Sequence, residues 1–171
     1  DQLAAKYPDS PRTAEASYHA AEQAYKNKDY GKAVWTYYEV IKKAGKSELS
    51  EKAGHKMGWA YYHQGDYERA QKTFHYQQVA YPKGPLAVDA ALMEAECLFK
   101  QNKFQEALAA FEKLKEYTTP DFHTLALLHA GQAASQLKQY DKSLQLLARC
   151  VEQFPNSPHV AEAIYEQGWA Q

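Results

Sequence analysis

The fold is decided by the stretch Asp66-Tyr67-Glu68-Arg69-Ala70, because related stretches return three more times along the chain. The other copies are Asp29-Tyr30-Gly31-Lys32-Ala33, Lys103-Phe104-Gln105-Glu106-Ala107 and Gln139-Tyr140-Asp141-Lys142-Ser143. We call the small last residue of each copy the landmark, and successive landmarks are 37, 37 and 36 residues apart. A fixed period of this length indicates a protein assembled from repeated supersecondary units.

Four further features keep a constant distance from each landmark. A small residue stands twelve positions before it, an aromatic one three before, a large apolar one four after, and a chain break twelve after. In that order they are Ala21, Gly58, Ala95 and Gly131; Tyr30, Tyr67, Phe104 and Tyr140; Tyr37, Phe74, Phe111 and Leu147; and Gly45, Pro82, Thr119 (beside Pro120) and Pro155. Small residues let a neighbouring helix approach and large ones fill the remaining space, whereas Gly and Pro end helices. Each repeat is therefore predicted to be a helical hairpin.

Apolar residues recur at helical spacing between the breaks, and no segment alternates as a strand would. Ser10-Pro11 and Ser157-Pro158 place a serine N-cap before a proline in a first helical turn, and Asp121 can cap the helix after Pro120. The pattern predicts nine helices, near residues 11–27, 30–44, 48–64, 67–81, 85–101, 104–117, 121–137, 140–154 and 158–170.

We expect residues 1–171 to form a single array. Residues 1–8 are predicted to be the tail of a preceding repeat, because Pro8 stands 37 residues before Gly45. Gly168 stands 37 residues after Gly131, which predicts the first helix of a fifth repeat at 158–171. The four complete repeats are 11–45, 48–82, 85–119 and 121–155. We therefore expect the chain to be a fragment of a larger protein.

A hairpin with these landmarks resembles the tetratricopeptide repeat. The best copy runs Met57-Gly58-Trp59-Ala60-Tyr61, then Gly65-Asp66-Tyr67-Glu68-Arg69-Ala70, Phe74 and Tyr81-Pro82. The period exceeds the usual 34 residues by two or three, and the extra residues lie in the loops between hairpins. The resemblance implies an all-α fold, a right-handed α-solenoid of antiparallel helix hairpins with about four full repeats and a partial fifth.

The loops narrow the resemblance. Tyr7-Pro8-Asp9-Ser10-Pro11 and Phe154-Pro155-Asn156-Ser157-Pro158 are similar to loops of bacterial envelope members of the family. Those members include the periplasmic protein of the Tol-Pal system and the lipoprotein of the outer-membrane β-barrel assembly machine. The resemblance implies the periplasm or cell envelope as the compartment, with the cytoplasm left open.

Composition argues against several classes of protein. Twenty basic and 21 acidic residues give a formal charge of −1, without the basic excess that nucleic-acid binding requires. No apolar stretch approaches the length of about 20 residues that a membrane-spanning helix needs. Cys97 and Cys150 form no CxxC pair, so we expect them to be small buried hydrophobes.

Catalysis, metals and cofactors are not predicted. None of the seven histidines has a histidine neighbour three or four residues away, the spacing that metal ligands on one helix face use. His55 and His63 are eight residues apart, roughly 12 Å along a helix. No Gly-rich phosphate loop follows a strand, and nothing in the sequence brings a catalytic triad together.

The resemblance places a binding trough on the first helix of each hairpin, at positions fifteen, eleven, eight and seven before the landmark. The predicted groove residues are Tyr18, Glu22, Tyr25, His55, Trp59, Tyr62, His63, Leu92, Glu96, Phe99, Leu128 and Gln132, with Lys26, Lys100, Ser135 and Gln136 beside them. Tyr and Trp combine a large apolar area with a hydrogen-bonding tip and are enriched at binding hot spots. Packing between neighbouring hairpins is the alternative role for any one of these residues.

We predict a scaffold or adaptor that binds a protein or peptide segment in this groove. Two alternatives remain open. The first is self-association through exposed apolar helix faces, including Ile164 and Trp169. The second is contact with an envelope glycan such as peptidoglycan, which would also use the aromatic side chains.

Overall fold

A computed structural model describes residues 11–114 and 120–170, which form nine α-helices and no strand. The helices are α1 Pro11–Lys26, α2 Tyr30–Ala44, α3 Glu48–His63, α4 Tyr67–Ala80, α5 Ala87–Lys100, α6 Phe104–Leu114, α7 Pro120–Gln136, α8 Tyr140–Gln153 and α9 Val160–Ala170. Helices α1 to α4 pack each against the next, and so do helices α6 to α9. The prediction of an all-α helical repeat fold is confirmed.

Three helix starts differ from the prediction. Helices α5 and α9 begin at Ala87 and Val160, because Pro85 and Pro158 lie in a tight turn that precedes the helix. In both turns a backbone N–H bonds to the carbonyl three residues earlier, Ala87 to Gly84 at 3.1 Å and Val160 to Ser157 at 3.2 Å. Helix α7 already begins at Pro120, so Asp121 lies in its first turn and does not cap it. The predicted tail at 1–8 and the predicted end of α6 at 117 lie outside the described residues.

The turn inside each hairpin repeats the same backbone conformation. Five residues before each landmark the backbone is left-handed, at Lys28 (φ 60°), Gly65 (φ 76°), Asn102 (φ 60°) and Lys138 (φ 59°). The next residue in each turn donates its N–H to the carbonyl five residues earlier, at 2.9–3.0 Å, which is a Schellman motif. Asp29 and Asp66 then cap the second helix by accepting the N–H groups of Lys32 and Arg69.

The small residues twelve positions before the landmarks and the large residues four positions after them pack as predicted. A Cβ atom on Gly58 would lie 2.7 Å from the ring of Phe74, and one on Gly131 would lie 2.6 Å from Leu147. Ala33, Ala70, Ala107 and Ser143 are all fully buried. These close contacts explain why small side chains recur at fixed positions, since a larger one would separate the paired helices.

The chain divides into two compact units, and the division falls between Ala90 and Ala91 within α5. In unit 1, residues of α1, α2 and α3 form a hydrophobic cluster that includes Ala21, Tyr37 and Val40. In unit 2, a larger cluster joins residues of α5 to α9 and includes Phe111 and Leu147. Each unit therefore has its own hydrophobic core. The division into one array with the predicted repeat boundaries stays a prediction.

Candidate functional site

In unit 1 the first helices of two hairpins, α1 and α3, lie beside each other. The ring of Tyr25 on α1 lies 5.8 Å from the ring of His63 on α3, and His63 also stacks on Tyr30 at 5.2 Å. The Lys56 ammonium on α3 lies 5.3 Å from the centre of the Tyr25 ring and 4.0 Å from the Glu22 carboxylate. The fold thus brings predicted groove residues of different repeats onto one surface.

Trp59 lies at the middle of this surface. Its ring is half-buried and lies 5.6 Å from Tyr62 and 5.8 Å from His63. Its indole Nε1–H donates to Nε2 of His55 at 3.1 Å, which fixes the orientation of the ring. We call Tyr25, Trp59, Tyr62 and His63 the aromatic face.

His55 lies beneath the aromatic face and is buried. Its Nδ1 lies 3.1 Å from Oε1 of Gln77, and its Nε2 lies 2.7 Å from the carboxylate of Asp89. A neutral ring with its proton on Nδ1 accepts the Trp59 N–H, whereas a protonated ring donates to Asp89 instead. His55 therefore orients Trp59 from below.

Tyr18 and Glu22 are tied to the core of unit 1. The buried hydroxyl of Tyr37 donates to the Glu22 carboxylate, and the rings of Tyr18 and Tyr37 lie 5.8 Å apart. Burial, followed by this hydrogen bond and the charge of Glu22, raises the pKa of Tyr37. Burial and then Glu22 also raise the pKa of Tyr18. Both tyrosines therefore remain neutral at physiological pH.

The aromatic residues eight positions before the landmark also close the hairpin turns. Tyr25 packs edge-to-face on Tyr30 at 5.5 Å, as do Tyr62 on Tyr67 and Phe99 on Phe104, both at 5.2 Å. The fourth hairpin has Ser135 at this position, and its Tyr140 is exposed. Tyr25, Tyr62 and Phe99 therefore have a structural role whether or not they also contact a partner.

In unit 2 the corresponding surface is a polar cavity of about 320 Å³. Its lining includes the predicted residues Glu96, Phe99, Lys100, Gln132, Ser135 and Gln136 together with His129, Glu162 and Glu166. Gln132 Nε2 donates to Glu162 at 3.2 Å and to Glu166 at 3.1 Å. Three carboxylates thus share this cavity with one lysine and one histidine.

Glu96 is the most constrained carboxylate of this polar cavity. Its two oxygens lie 2.9 Å from Nδ1 of His129 and 3.5 Å from Nζ of Lys100. Burial by itself would raise the pKa of Glu96, but the hydrogen bond and charge of His129, together with Lys100, outweigh burial and lower it. Glu96 therefore stays ionised and links α5 to α7.

Burial differs between the predicted positions, although Tyr18 of the first repeat is half-buried where the corresponding residues of the later repeats are buried. At the position fifteen before the landmark, Leu128 is fully buried in the unit 2 core, and Leu92 and His55 are nearly so. The residues eleven and eight before it are half-buried, and those seven before it, such as His63 and Lys100, are exposed. Leu92 and Leu128 thus have no surface to offer a partner, because their side of the helix faces the core.

Sequence reasoning missed Lys56, His129 and Glu166. They pair or hydrogen-bond with Glu22, Glu96 and Gln132, which stand 34, 33 and 34 residues earlier in the chain. Each separation is three residues short of the local period of 36 or 37, and the partners lie on neighbouring first helices. A search for complementary polar residues at that separation would have found them.

Other chemistry finds no support within residues 11–114 and 120–170. No three His, Cys, Asp or Glu side chains there are grouped so that they could hold a metal ion. No helix in the same ranges is long and apolar enough to cross a membrane. Cys97 and Cys150 are buried as predicted, and burial, followed by Glu96 and Glu94, raises the pKa of Cys97 to about 12.

Comparison with known families identifies the repeats. Two models described as tetratricopeptide repeat match residues 55–121 and 125–157, more than half of the chain. The chain belongs to the tetratricopeptide repeat family. Tetratricopeptide repeats generally serve as interaction modules with extended binding surfaces and not as enzymes. No curated protein sequence matches the chain.

Solved structures of tetratricopeptide repeat proteins share the fold at low sequence identity. "MamA 41-end" of Desulfovibrio magneticus RS-1 is 18% identical with a TM-score of 0.72, covering 92% of this chain and 88% of its own. YrrB, described as having an unusual peptide-binding site, is 19% identical with a TM-score of 0.71. The match covers 99% of this chain and 80% of YrrB. RapI in its apo form is 14% identical with a TM-score of 0.81, covering 90% and 46%. These likenesses support the fold, and the envelope assignment stays a prediction.

Proposed function

We propose that this tetratricopeptide repeat protein is a scaffold or adaptor whose first-helix surfaces bind a segment of a partner protein. The observation that carries the proposal is the aromatic face of unit 1, where Trp59 and His63 remain accessible beside Tyr25. The description of YrrB as a peptide-binding member of the same fold makes a peptide segment the natural class of partner.

The aromatic face suits binding because its rings are already ordered. The hydrogen bond from Trp59 to His55 and the edge contact between Tyr62 and Tyr67 hold both side chains before any partner arrives. Ordering a flexible side chain at an interface costs about 0.5–1.5 kcal/mol, and this cost is reduced for rings that are fixed beforehand. Large, rigid aromatic rings are also the residues that most often dominate binding energy.

The polar cavity of unit 2 would recognise a partner differently. Glu96, Glu162 and Glu166 face Lys100 and His129 there, so contacts would be hydrogen bonds and ion pairs. A partner that uses this cavity would bind more weakly as salt concentration rises, because exposed ionic contacts are screened.

Selection from a displayed peptide library tests the proposal without knowledge of the natural partner. We expect peptides selected on the wild-type chain to lose at least about ten-fold in affinity when Trp59→Ala and His63→Ala are combined. Tyr140→Ala is the matched control, since Tyr140 is an exposed aromatic residue outside these surfaces. Selected peptides that bind the double variant as tightly as the wild type would refute the proposed surface. Peptidoglycan fragments titrated at millimolar concentration against the same variants test the glycan alternative.

Self-association is a second candidate function, favoured by the exposed side of α9. Ile164, Tyr165 and Trp169 are all exposed there, although the opposite side of α9 packs on α8 and α7. Sedimentation velocity across a wide concentration range would test it. A sedimentation coefficient that rises with concentration, and no longer does so in Ile164→Ser with Trp169→Ser, would support self-association. A monomer at all concentrations would remove it.

A further inference from the structure

The second helices of unit 1 carry exposed apolar side chains that the aromatic face does not use. Trp35 and Tyr38 on α2 are 64% and 49% exposed, and Tyr76 and Val79 on α4 are 68% and 67% exposed. The rings of Trp35 and Tyr38 lie 6.1 Å apart. Clustered exposure of large apolar residues on a folded domain marks interaction surfaces, because isolated apolar residues are common on surfaces but contiguous patches are not.

These side chains line a groove between α2 and α4. Two cavities of about 560 and 670 Å³ share Tyr38, Met57 and Thr73, so they form one continuous depression, here called the second-helix groove. Its floor is α3 from Ser50 to Tyr61, which at 1.5 Å per residue extends over roughly 16 Å. That length accommodates about three turns of an α-helix.

The charged side chains of the groove are mostly of one sign. Among the described residues that line it, the exposed charged ones are Lys46, Arg69 and Lys72, and all three are cationic. The lining carboxylate of Glu51 is buried and accepts the backbone N–H of Leu86 at 3.2 Å. The rim is therefore positively charged over an apolar interior.

Two of the cationic rim residues pair with nearby carboxylates, but they can still bind a partner. Arg69 pairs with Asp66 at 3.3 Å and Lys72 with Glu68 at 2.6 Å, each on or next to its own helix. Exposed pairs of this kind contribute about 0–1 kcal/mol, so a partner's carboxylates can replace them at small cost. The rim can thus exchange partners when an acidic segment approaches.

A helix fits the groove better than an extended segment does. An extended chain needs partners for its backbone N–H and C=O groups, whereas a helix satisfies its own. The walls are apolar side chains, and the clearest open polar group is Nε2 of the buried Gln77, which has no hydrogen-bond partner among the described residues. Apolar anchors at intervals of three and four residues would lie along such a groove.

We propose that the second-helix groove binds an amphipathic helix of a partner protein whose apolar stripe is flanked by acidic residues. This site is additional to the aromatic face, and it gives the chain a second, independent binding surface on unit 1. The apolar stripe packs between Trp35 and Tyr76, and the flanking carboxylates meet Lys46, Arg69 and Lys72.

A synthetic helical peptide tests the proposal. The probe is a fluorescein-labelled peptide of about 16 residues, with leucines spaced three and four apart and glutamates flanking them, long enough for the groove. Its control carries lysines in place of the glutamates. In fluorescence anisotropy we expect saturable binding of the glutamate peptide, with an affinity at least about ten-fold higher than that of the lysine peptide. The double variant Trp35→Ala with Tyr76→Ala is expected to bind the glutamate peptide about ten-fold or more weakly than the wild type does. Lys72→Glu is expected to weaken binding of the glutamate peptide and to strengthen binding of the lysine peptide.

Three results would overturn the proposal. Equal affinity for both peptides would remove the acidic requirement. Loss of binding in Trp59→Ala with His63→Ala, but not in Trp35→Ala with Tyr76→Ala, would place the peptide on the aromatic face. Concentration-dependent self-association of the wild type that Trp35→Ala with Tyr76→Ala abolishes would make a second copy the occupant. Tyr140→Ala serves as the exposed aromatic control, and far-UV circular dichroism checks that every variant is folded.

Discussion

Lys138 has a left-handed backbone, with φ 59°, in the turn between α7 and α8. This conformation costs a residue that has a side chain about 1–2 kcal/mol, and glycine avoids most of that cost. Gly65 occupies the equivalent turn between α3 and α4. We therefore expect Lys138→Gly to raise the free energy of unfolding by about 0.5–1 kcal/mol, measured by urea denaturation, after allowance for glycine's larger entropy loss.

Two further variants separate backbone strain from loss of the lysine side chain. Lys138→Ala keeps a Cβ atom in the left-handed conformation, so its stability should stay close to that of the wild type. Gly65→Ala introduces the same strain where no neighbouring atom lies within 4 Å of the new Cβ, and we expect it to lose about 1 kcal/mol. The backbone explanation would be contradicted if Lys138→Ala raised the free energy of unfolding as much as Lys138→Gly does.

Single residues also show where sequence reasoning about the site stops. The family resemblance placed His55 in the binding groove, but it did not indicate that His55 is buried and orients Trp59. The polar side chains that contact His55 are those of Gln77 and Asp89, which lie 22 and 34 residues further along the chain. Periodicity identifies the side of a helix, whereas burial depends on which side chains the neighbouring helices supply.

At the scale of helices, the period of 37, 37 and 36 residues was sufficient to predict the nine helices of the described residues. The small and large residues stand at fixed distances from the landmarks because contacts between them, such as Gly58 against Phe74, require a fixed register of the paired helices. The starts of α5 and α9 were less predictable, since a proline is compatible with both a first helical turn and the tight turn before it. Polar bridges between first helices were missed because they join residues 33 or 34 positions apart, a separation that does not match the period.

One of these bridges gives a pH prediction at the scale of helices. His129 and Lys100 hold the pKa of Glu96 below its ordinary value of 4.5. A carboxyl whose pKa is lowered by folding stabilises the folded state above its unfolded pKa, and this contribution disappears as pH falls through the folded pKa. We expect Glu96→Gln to lose about 2 kcal/mol at pH 7, the strength of a hydrogen bond to a charged group. The deficit relative to the wild type should shrink as pH falls below about 4.5.

Chemical denaturation at a series of pH values measures this deficit. Glu152→Gln is the matched control, because Glu152 is an exposed carboxyl on α8, and we expect it to differ little from the wild type at any pH. A Glu96→Gln deficit that stays constant from pH 7 to pH 3 would show that the loss comes from packing and not from ionisation of Glu96.

At the scale of the molecule, the chain forms two compact units, each with its own hydrophobic cluster, and the predicted single array stays a prediction. The repeat pattern could not indicate this division, because the landmarks continue through it with the same spacing. Repeat proteins are stabilised by contacts within each repeat and with its neighbours, so stability need not be uniform along the chain. Each unit is thus expected to respond to changes in its own core first.

Phe111 and Phe74 provide a matched pair for this expectation, since both are buried core rings at the same position of their repeats. Truncation of a buried phenylalanine to alanine costs about 3–5 kcal/mol. We expect Phe111→Ala to reduce hydrogen-exchange protection in α6, α7 and α8 while α1 to α3 keep theirs, and Phe74→Ala to reduce protection in α3 and α4 while α7 to α9 keep theirs. Mass spectrometry of exchanged peptides resolves the two patterns. An equal loss of protection across both units in either variant would show that they unfold as a single cooperative unit.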